Sequence, residues 1–220
     1  MASEFVPDSL YHTSLVVNEH GVETTSVIPK YYVIGTHATV ESAKKFALSV
    51  LPNLGYEKSD FADYEERPRD VEEWSRGEGV VVYAKAAPGQ EFKVVIDTKD
   101  NSGKLRASSA DGSMVLPSGV DHLNYLVQTT IDYRADRKAS NEIQGAYVVR
   151  EDALKAAKGL LLVEGTKESD YAEFDSRENL DEPKDWPYGD DVLVHAVEET
   201  GENYLISLKT PPQVKEHRKQ

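Results

Sequence analysis

The feature of this chain that most limits its possible folds is an internal repeat. YYVIGTHATVESAKKFALSVL, residues 31–51, aligns without a gap on NEIQGAYVVREDALKAAKGLL, residues 141–161, and brings Gly35 onto Gly145, Glu41 onto Glu151 and Ala43 onto Ala153. The same offset of 110 residues carries SDFADYEER (59–67) onto SDYAEFDSR (169–177), so that Asp60 meets Asp170, Phe61 meets Tyr171, Tyr64 meets Phe174 and Arg67 meets Arg177. A two-residue insertion then moves the offset to 112 and pairs Trp74 with Trp186, Gly77 with Gly189, Val80 with Val192, Gly89 with Gly201 and Phe92 with Tyr204. A repeat has to be read before anything else, because each copy then predicts the elements of the other.

The copies spell out the same order of elements. Apolar and β-branched residues at 31–34 predict a strand ended by Gly35. Thr39 offers an N-cap, and Val40, Ala43, Phe46, Ala47 and Val50 form the stripe of an amphipathic helix that Pro52 and Gly55 stop. In the second copy a helix over 152–163 carries Ala153, Leu154, Ala157, Leu160 and Leu161. Strands follow at 61–66, 80–84 and 92–98, and again at 171–176, 192–197 and 204–208, with an acidic loop ending in Trp74 or Trp186 before the second of each trio. LYHTSLVV and LNYLVQTTIDY predict a further leading strand in each copy. The expected fold class is therefore α+β, an internally duplicated (β)βαβββ arrangement of mainly antiparallel, curved sheets with one main helix per module. The expected boundaries are a first module over 1–99, a Gly/Ser-rich connector over 100–120, a second module over 121–210 and a frayed tail over 211–220.

Composition excludes several functions. Thirty-nine acidic against 25 basic residues, a formal charge of −14, disfavour binding to phosphate backbones and anionic lipid surfaces, so neither nucleic acid nor membrane is an expected partner. The absence of cysteine excludes disulfides, thiolate metal sites, iron–sulfur clusters and a Cys nucleophile. The opening residues lack the basic start and apolar run of a leader, and no stretch reaches about 20 apolar residues. The expected location is cytoplasmic.

The order strand, helix, strand, strand, strand in tandem resembles the paired βαβββ modules of the vicinal-oxygen-chelate superfamily, the glyoxalase-like fold, over residues 31–98 and 141–209. The resemblance implies a cup-like sheet around a metal site or ligand cavity, with a metal-binding His on the first strand and a Glu on the last strand of modules. Here the first strands offer Tyr31, Tyr32 and Glu142, and the last offer Asp97, Ser207 and Lys209. No ligand set assembles from these, so the expectation is no metal and no cofactor. An extra leading strand fits a cystatin-like or ferredoxin-like α+β sheet equally well.

Positions kept in both copies serve packing, and positions that differ carry functional information. His37 aligns with Tyr147, and His195 with Tyr83. Imidazole titrates near neutrality, so His37 and His195, with Tyr83 and Glu142, are the candidate proton-transfer groups; the alternative for each His is a satisfied or solvated side chain. Trp74, Trp186 and Tyr188 are the candidate ligand-binding residues, because an indole beside a carboxylate holds a ring or a cation; the alternative is a Trp plugging the core. Arg67 and Arg177 are expected to pair with Asp60 and Asp170 at the surface. The sequence contains no GxSxG elbow, no GxGxxG, no P-loop, no HExxH and no EF-hand spacing.

These residues point first to a noncatalytic binding or assembly protein built from two homologous modules, with a small-molecule or protein partner near the module junction and self-association into a homo-oligomer left open. The alternative is a metal-independent enzyme of glyoxalase-like shape acting on a small organic molecule. A self-associating storage or stress protein is a third reading.

Overall fold

Strand β2 (Ser9–Glu19) is buried almost continuously from Leu10 to Val17, because it lies inside a five-stranded antiparallel sheet and meets neighbours on both edges. In this computed structural model the described residues are 3–19, 28–69, 73–87, 89–134, 138–163, 165–177 and 186–212. They fall into two units, the first holding 3–19, 29–115, Pro211 and Pro212, the second holding Ile28 and the described residues of 116–210.

In the first unit, β2, β3 (Lys30–His37), helix α1 (Val40–Asn53), β4 (Phe61–Glu66), β5 (Val80–Ala86) and β6 (Gln90–Asp100) form a sheet ordered β3-β2-β6-β5-β4. In the second, β9 (Asn124–Asp132), β10 (Lys138–Tyr147), helix α2 (Arg150–Gly159), β11 (Glu173–Ser176), β12 (Val192–Val197) and β13 (Glu202–Lys209) are ordered β10-β9-β13-β12-β11. The two sheets therefore share one connectivity and one strand order, all of it antiparallel. They share irregularities too. The register slips between Ile143 and Gly145 in β10, and between Thr13 and Ser14 in β2, where Gly35 pairs with Thr13 and Val33 with Ser14. Ile34 and Gln144, at the 110-residue offset, are thus both bulged residues. A second slip skips Val81 in β5 and Leu193 in β12, at the 112-residue offset.

The sequence-based element order holds with one refinement. The leading strand, second from the edge, is the one that joins β3 or β10 to the rest of its sheet, since β3 and β10 pair only with β2 and β9. Without it the βαβββ set would not be one sheet.

One face of each sheet packs on its helix. Ala47, Val50 and Leu51 of α1 meet Leu15, Val17, Val82, Ala84, Phe92 and Val94. Ala153 and Ala157 of α2 meet Leu126, Val194, Ala196 and Ile206. Helix α1 begins at Thr39, whose Oγ1 accepts from the Ser42 amide at 3.2 Å. It runs through Pro52 and ends where the Tyr56 amide reaches the Leu51 carbonyl and Gly55 takes φ of +90°. Gly55, and not Pro52, is the stop. Helix α2 ends at Gly159, short of the expected 163. Its N-cap is Val149, which has no side chain to accept a first-turn amide, and a terminal Gly weakens propagation.

Residues 100–115 differ from the connector reading. They carry β7 (Arg106–Ser108) and β8 (Met114–Val115), which join β1 (Glu4–Phe5) in a three-stranded sheet. Local polar bonds fix them on the first unit: Asn101 Nδ2 donates to the Pro7 and Leu105 carbonyls, Ala38 N–H donates to the Gly112 carbonyl at 2.8 Å, and Ser42 Oγ donates to the Asp111 carbonyl at 2.6 Å. Gly/Ser content reflects tight turns here. Of the predicted tail, residues 213–220 lie outside the described residues.

No described helix is long and apolar enough to cross a membrane.

Candidate functional site

The site is built on β11, an edge strand of the second sheet, and its neighbour β12. In β11, Phe174 turns toward the core of α2, so its neighbours Glu173 and Asp175 turn to the opposite face. Asp175 pairs with His195 across the β11–β12 ladder, and paired residues share a face. The donor atoms of Glu173, Asp175 and His195 all lie within 4.8 Å of one another. The loop before β12 covers the group. Tyr188 stacks on the imidazole, 4.0 Å between ring centres and 19° between planes, and its hydroxyl donates to Asp175 Oδ2 at 2.7 Å. That bond, with partial burial, pushes the Tyr188 phenol up to about 12. Trp186 meets Tyr188 edge-on at 4.9 Å.

His195 is 6% exposed. Its Nε2 lies 3.3 Å from Asn203 Oδ1, and Asn203 is oriented by its own Nδ2, which donates to the Gly201 carbonyl at 3.2 Å. An amide oxygen only accepts, so Nε2 carries the hydrogen and Nδ1 of a neutral ring keeps its lone pair. Nδ1 is buried without a hydrogen-bond partner and lies 3.6 Å from Asp175 Oδ2.

The first unit shows what the same positions do with different residues. Glu65 pairs with Tyr83 across β4–β5, as Asp175 pairs with His195. Arg76 stands where Tyr188 stands: its guanidinium lies 3.9 Å from the Tyr83 ring centre and bonds Asp63 at 2.7 Å and Glu65 at 2.5 and 3.1 Å. The Tyr83 hydroxyl donates to Glu91 at 3.0 Å, and Glu91 occupies the position of Asn203. Arg76 holds the Glu65 carboxyl below its ordinary range, while burial, helped by Glu91, raises Tyr83. One unit therefore carries two carboxylates, an aromatic ring and its own cation. The other carries two carboxylates and a buried imidazole, and among the described residues no Lys or Arg pairs with Glu173 or Asp175.

The structure thus brings together three of the residues singled out by sequence, Trp186, Tyr188 and His195. Trp74 is half-buried in the loop bearing Arg76, its carbonyl accepting from Gly77 N–H at 3.0 Å. His195 and Glu142 lie on β12 and β10, three strand spacings or about 14 Å apart. His37 and Tyr83 are equally separated across the first sheet, on β3 and β5. Glu142 is exposed and accepts from Gln144 at 3.2 Å. His37 packs on Phe46, and burial lowers its pKa against the opposing pull of Asp111. Asp60 and Asp170 each accept the backbone N–H three residues earlier, capping 3₁₀ turns, and Arg177 bonds the Asp190 carbonyl. These acids are turn formers.

Sequence reading placed Glu173 and Asp175 only within an acidic stretch and Arg76 only within the loop that carries Trp74, and it missed Asn203. The signal was present in the offset of 112, which exchanges Arg76 for Tyr188 together with Tyr83 for His195. A shallow groove of about 320 Å³ in the first unit, floored by Leu15, Val17, Ile34 and Phe92, contains none of the candidates.

Comparison of the chain with protein-family models, curated proteins and solved structures finds no match.

Proposed function

We propose that this is a noncatalytic binding protein made of two homologous α+β modules, and that the second module binds a cationic ligand. The duplication is supported by the paired glycines, the bulges at matching offsets and the common strand order. The observation that carries the reading is Arg76. A guanidinium already fills the carboxylate pair of the first module, whereas the second module keeps the carboxylates, replaces the guanidinium with Tyr188 and supplies no cation of its own among the described residues. Two carboxylates and aromatic faces favour positive charge, and the −14 balance adds a long-range field of the same sense.

The noncatalytic part rests on the spread of the proton-transfer candidates. His195 and Glu142 are too far apart to act on one small substrate, as are His37 and Tyr83. In the second module a stacked Tyr188 closes over His195.

Titration of isotope-labelled, chelator-washed protein with methylguanidinium, tetramethylammonium and Zn²⁺ tests the reading by NMR. Shifts confined to Trp186, Tyr188 and His195 are expected with at least one of them. Silence with all three, or equal response at Arg76 and Tyr188, would end it.

A further inference from the structure

We infer that the cation is a divalent transition metal of the Zn²⁺ class, bound by His195 Nδ1 and the carboxylates of Asp175 and Glu173. The inference rests on the cation-site reading and names its ligand.

Two exposed acids on an edge strand would say nothing alone. The independent observation is the imidazole: more than nine-tenths buried, with Nδ1 unpartnered, 3.6 Å from Asp175 Oδ2 and within the donor cluster. In a neutral ring the Asn203 contact puts the hydrogen on Nε2 and leaves the Nδ1 lone pair 3.6 Å from Asp175 Oδ2. That pair of acceptors is a spacing one shared cation can bridge. Donors held about 2.1 Å from a tetrahedral centre lie about 3.4 Å apart, close to the spacing seen. Glu173 is exposed and long enough to close the remaining gap within the 4.8 Å cluster. One nitrogen with two carboxylates suits a borderline ion better than Mg²⁺ or Ca²⁺, which prefer all-oxygen shells.

The outer shell has the form such sites take. A ligating His donates its other N–H to a carbonyl, and a ligating carboxylate is itself hydrogen-bonded; here Asn203 holds His195 and Tyr188 holds Asp175. Tyr188 also decides against an organic cation. Its ring lies where the Arg76 guanidinium lies in the first unit, leaving room between the donors for a bare ion and not for a planar group. The His122–Asp121 contact of the second unit is exposed and has no third donor among the described residues.

Calorimetric titration of the chelator-washed full chain with ZnCl₂ is the test, with imidazole nitrogen NMR to identify the ligand atom. One ion per chain is expected, with the His195 Nδ1 resonance moving. Glu173→Gln and Asp175→Asn should each weaken binding by at least about 10-fold, the lower bound for loss of even an outer-shell partner, without changing the melting midpoint much, since both side chains are exposed. Tyr188→Arg combined with His195→Tyr recreates the first-unit set and should abolish binding in a folded protein. His122→Gln should bind as the parent does, and MgCl₂ should give no comparable heat. No stoichiometric Zn²⁺ binding, binding unaffected by Glu173→Gln and Asp175→Asn, loss in His122→Gln, or equal Mg²⁺ binding would overturn the inference. A methylguanidinium response without a Zn²⁺ response would overturn this inference alone; no response to either would overturn the cation-site reading with it.

Discussion

The guanidinium of Arg76 lies 3.9 Å from the centre of the Tyr83 ring and joins the carboxylates of strand β4 to strand β5. Its counterpart, Tyr188 on His195, keeps the stacking and discards the charge. At this contact the two units differ in charge: one carries a guanidinium and the other a phenol.

Replacing Arg76 with Met should lower the melting midpoint at neutral pH and low salt. Asp63 and Glu65 would then face each other without a cation, and added salt should narrow the difference. Arg76 depresses the Glu65 pKa. A carboxylate with a depressed folded pKa contributes stability above its unfolded pKa and loses it as pH falls. The gap between parent and Arg76→Met is therefore widest near pH 7 and closes in acid. A gap independent of both salt and pH would show that Arg76 acts only through packing.

Gly35 and Gly145 occupy the same bulge but face different neighbours. A Cβ on Gly35 would stand 2.9 Å from Phe46 Cε1, a ring held between the helix and the sheet. On Gly145 it would stand 2.8 Å from the Tyr147 ring and hydroxyl, a half-buried side chain packed on the core of the second unit. Gly35→Ala should cost about 1–3 kcal/mol, the range for overpacking. Gly145→Ala should be destabilising in the same range, less the roughly 0.4–1 kcal/mol gained from reduced freedom of the unfolded chain. Urea denaturation of both variants, and of Gly35→Ala with Phe46→Leu, checks this; the double variant should recover much of the loss.

His12 is 1% exposed, and its Nδ1 lies 2.8 Å from Thr36 Oγ1. Burial, reinforced by the Lys99 charge, lowers its pKa to about 4. Between an unfolded value of about 6.5 and this folded one the unfolded chain binds more protons, so stability falls as pH drops through that window, by about 3 kcal/mol in all. Below pH 4 this group contributes no further loss. In His12→Gln the total fall in unfolding free energy between pH 6.5 and 4 should be smaller by that amount. Parallel curves for parent and variant would rule the assignment out.

Val149 caps α2 at the position Thr39 holds before α1, in an extended conformation and 46% exposed. Val149→Thr supplies the missing acceptor and should stabilise by about 0.5–1 kcal/mol, while Thr39→Val should cost about 1 kcal/mol. Opposite signs in thermal denaturation are the expected result.

Residue order alone determined the elements and their faces. The stripe from Val40 to Val50, the alternation through β6 and β13, the turn at Gly201 and the matched offsets are all local patterns, set by helix and strand periods that a chain carries wherever it folds. Only the tertiary structure decided which strands are neighbours. Period two says that Asp175 and His195 each turn away from the core, but not that they stand opposite one another; that register arises when β11 docks on β12. The same holds for β2, whose place inside the sheet comes from pairing with β3 and the distant β6, and for residues 100–115, whose turn-rich composition reads as a linker until Asn101, Asp111 and Gly112 meet the first unit. Strand pairing is a contact between segments remote in sequence, so its outcome depends on loop closure and on the whole core, and no short window contains it.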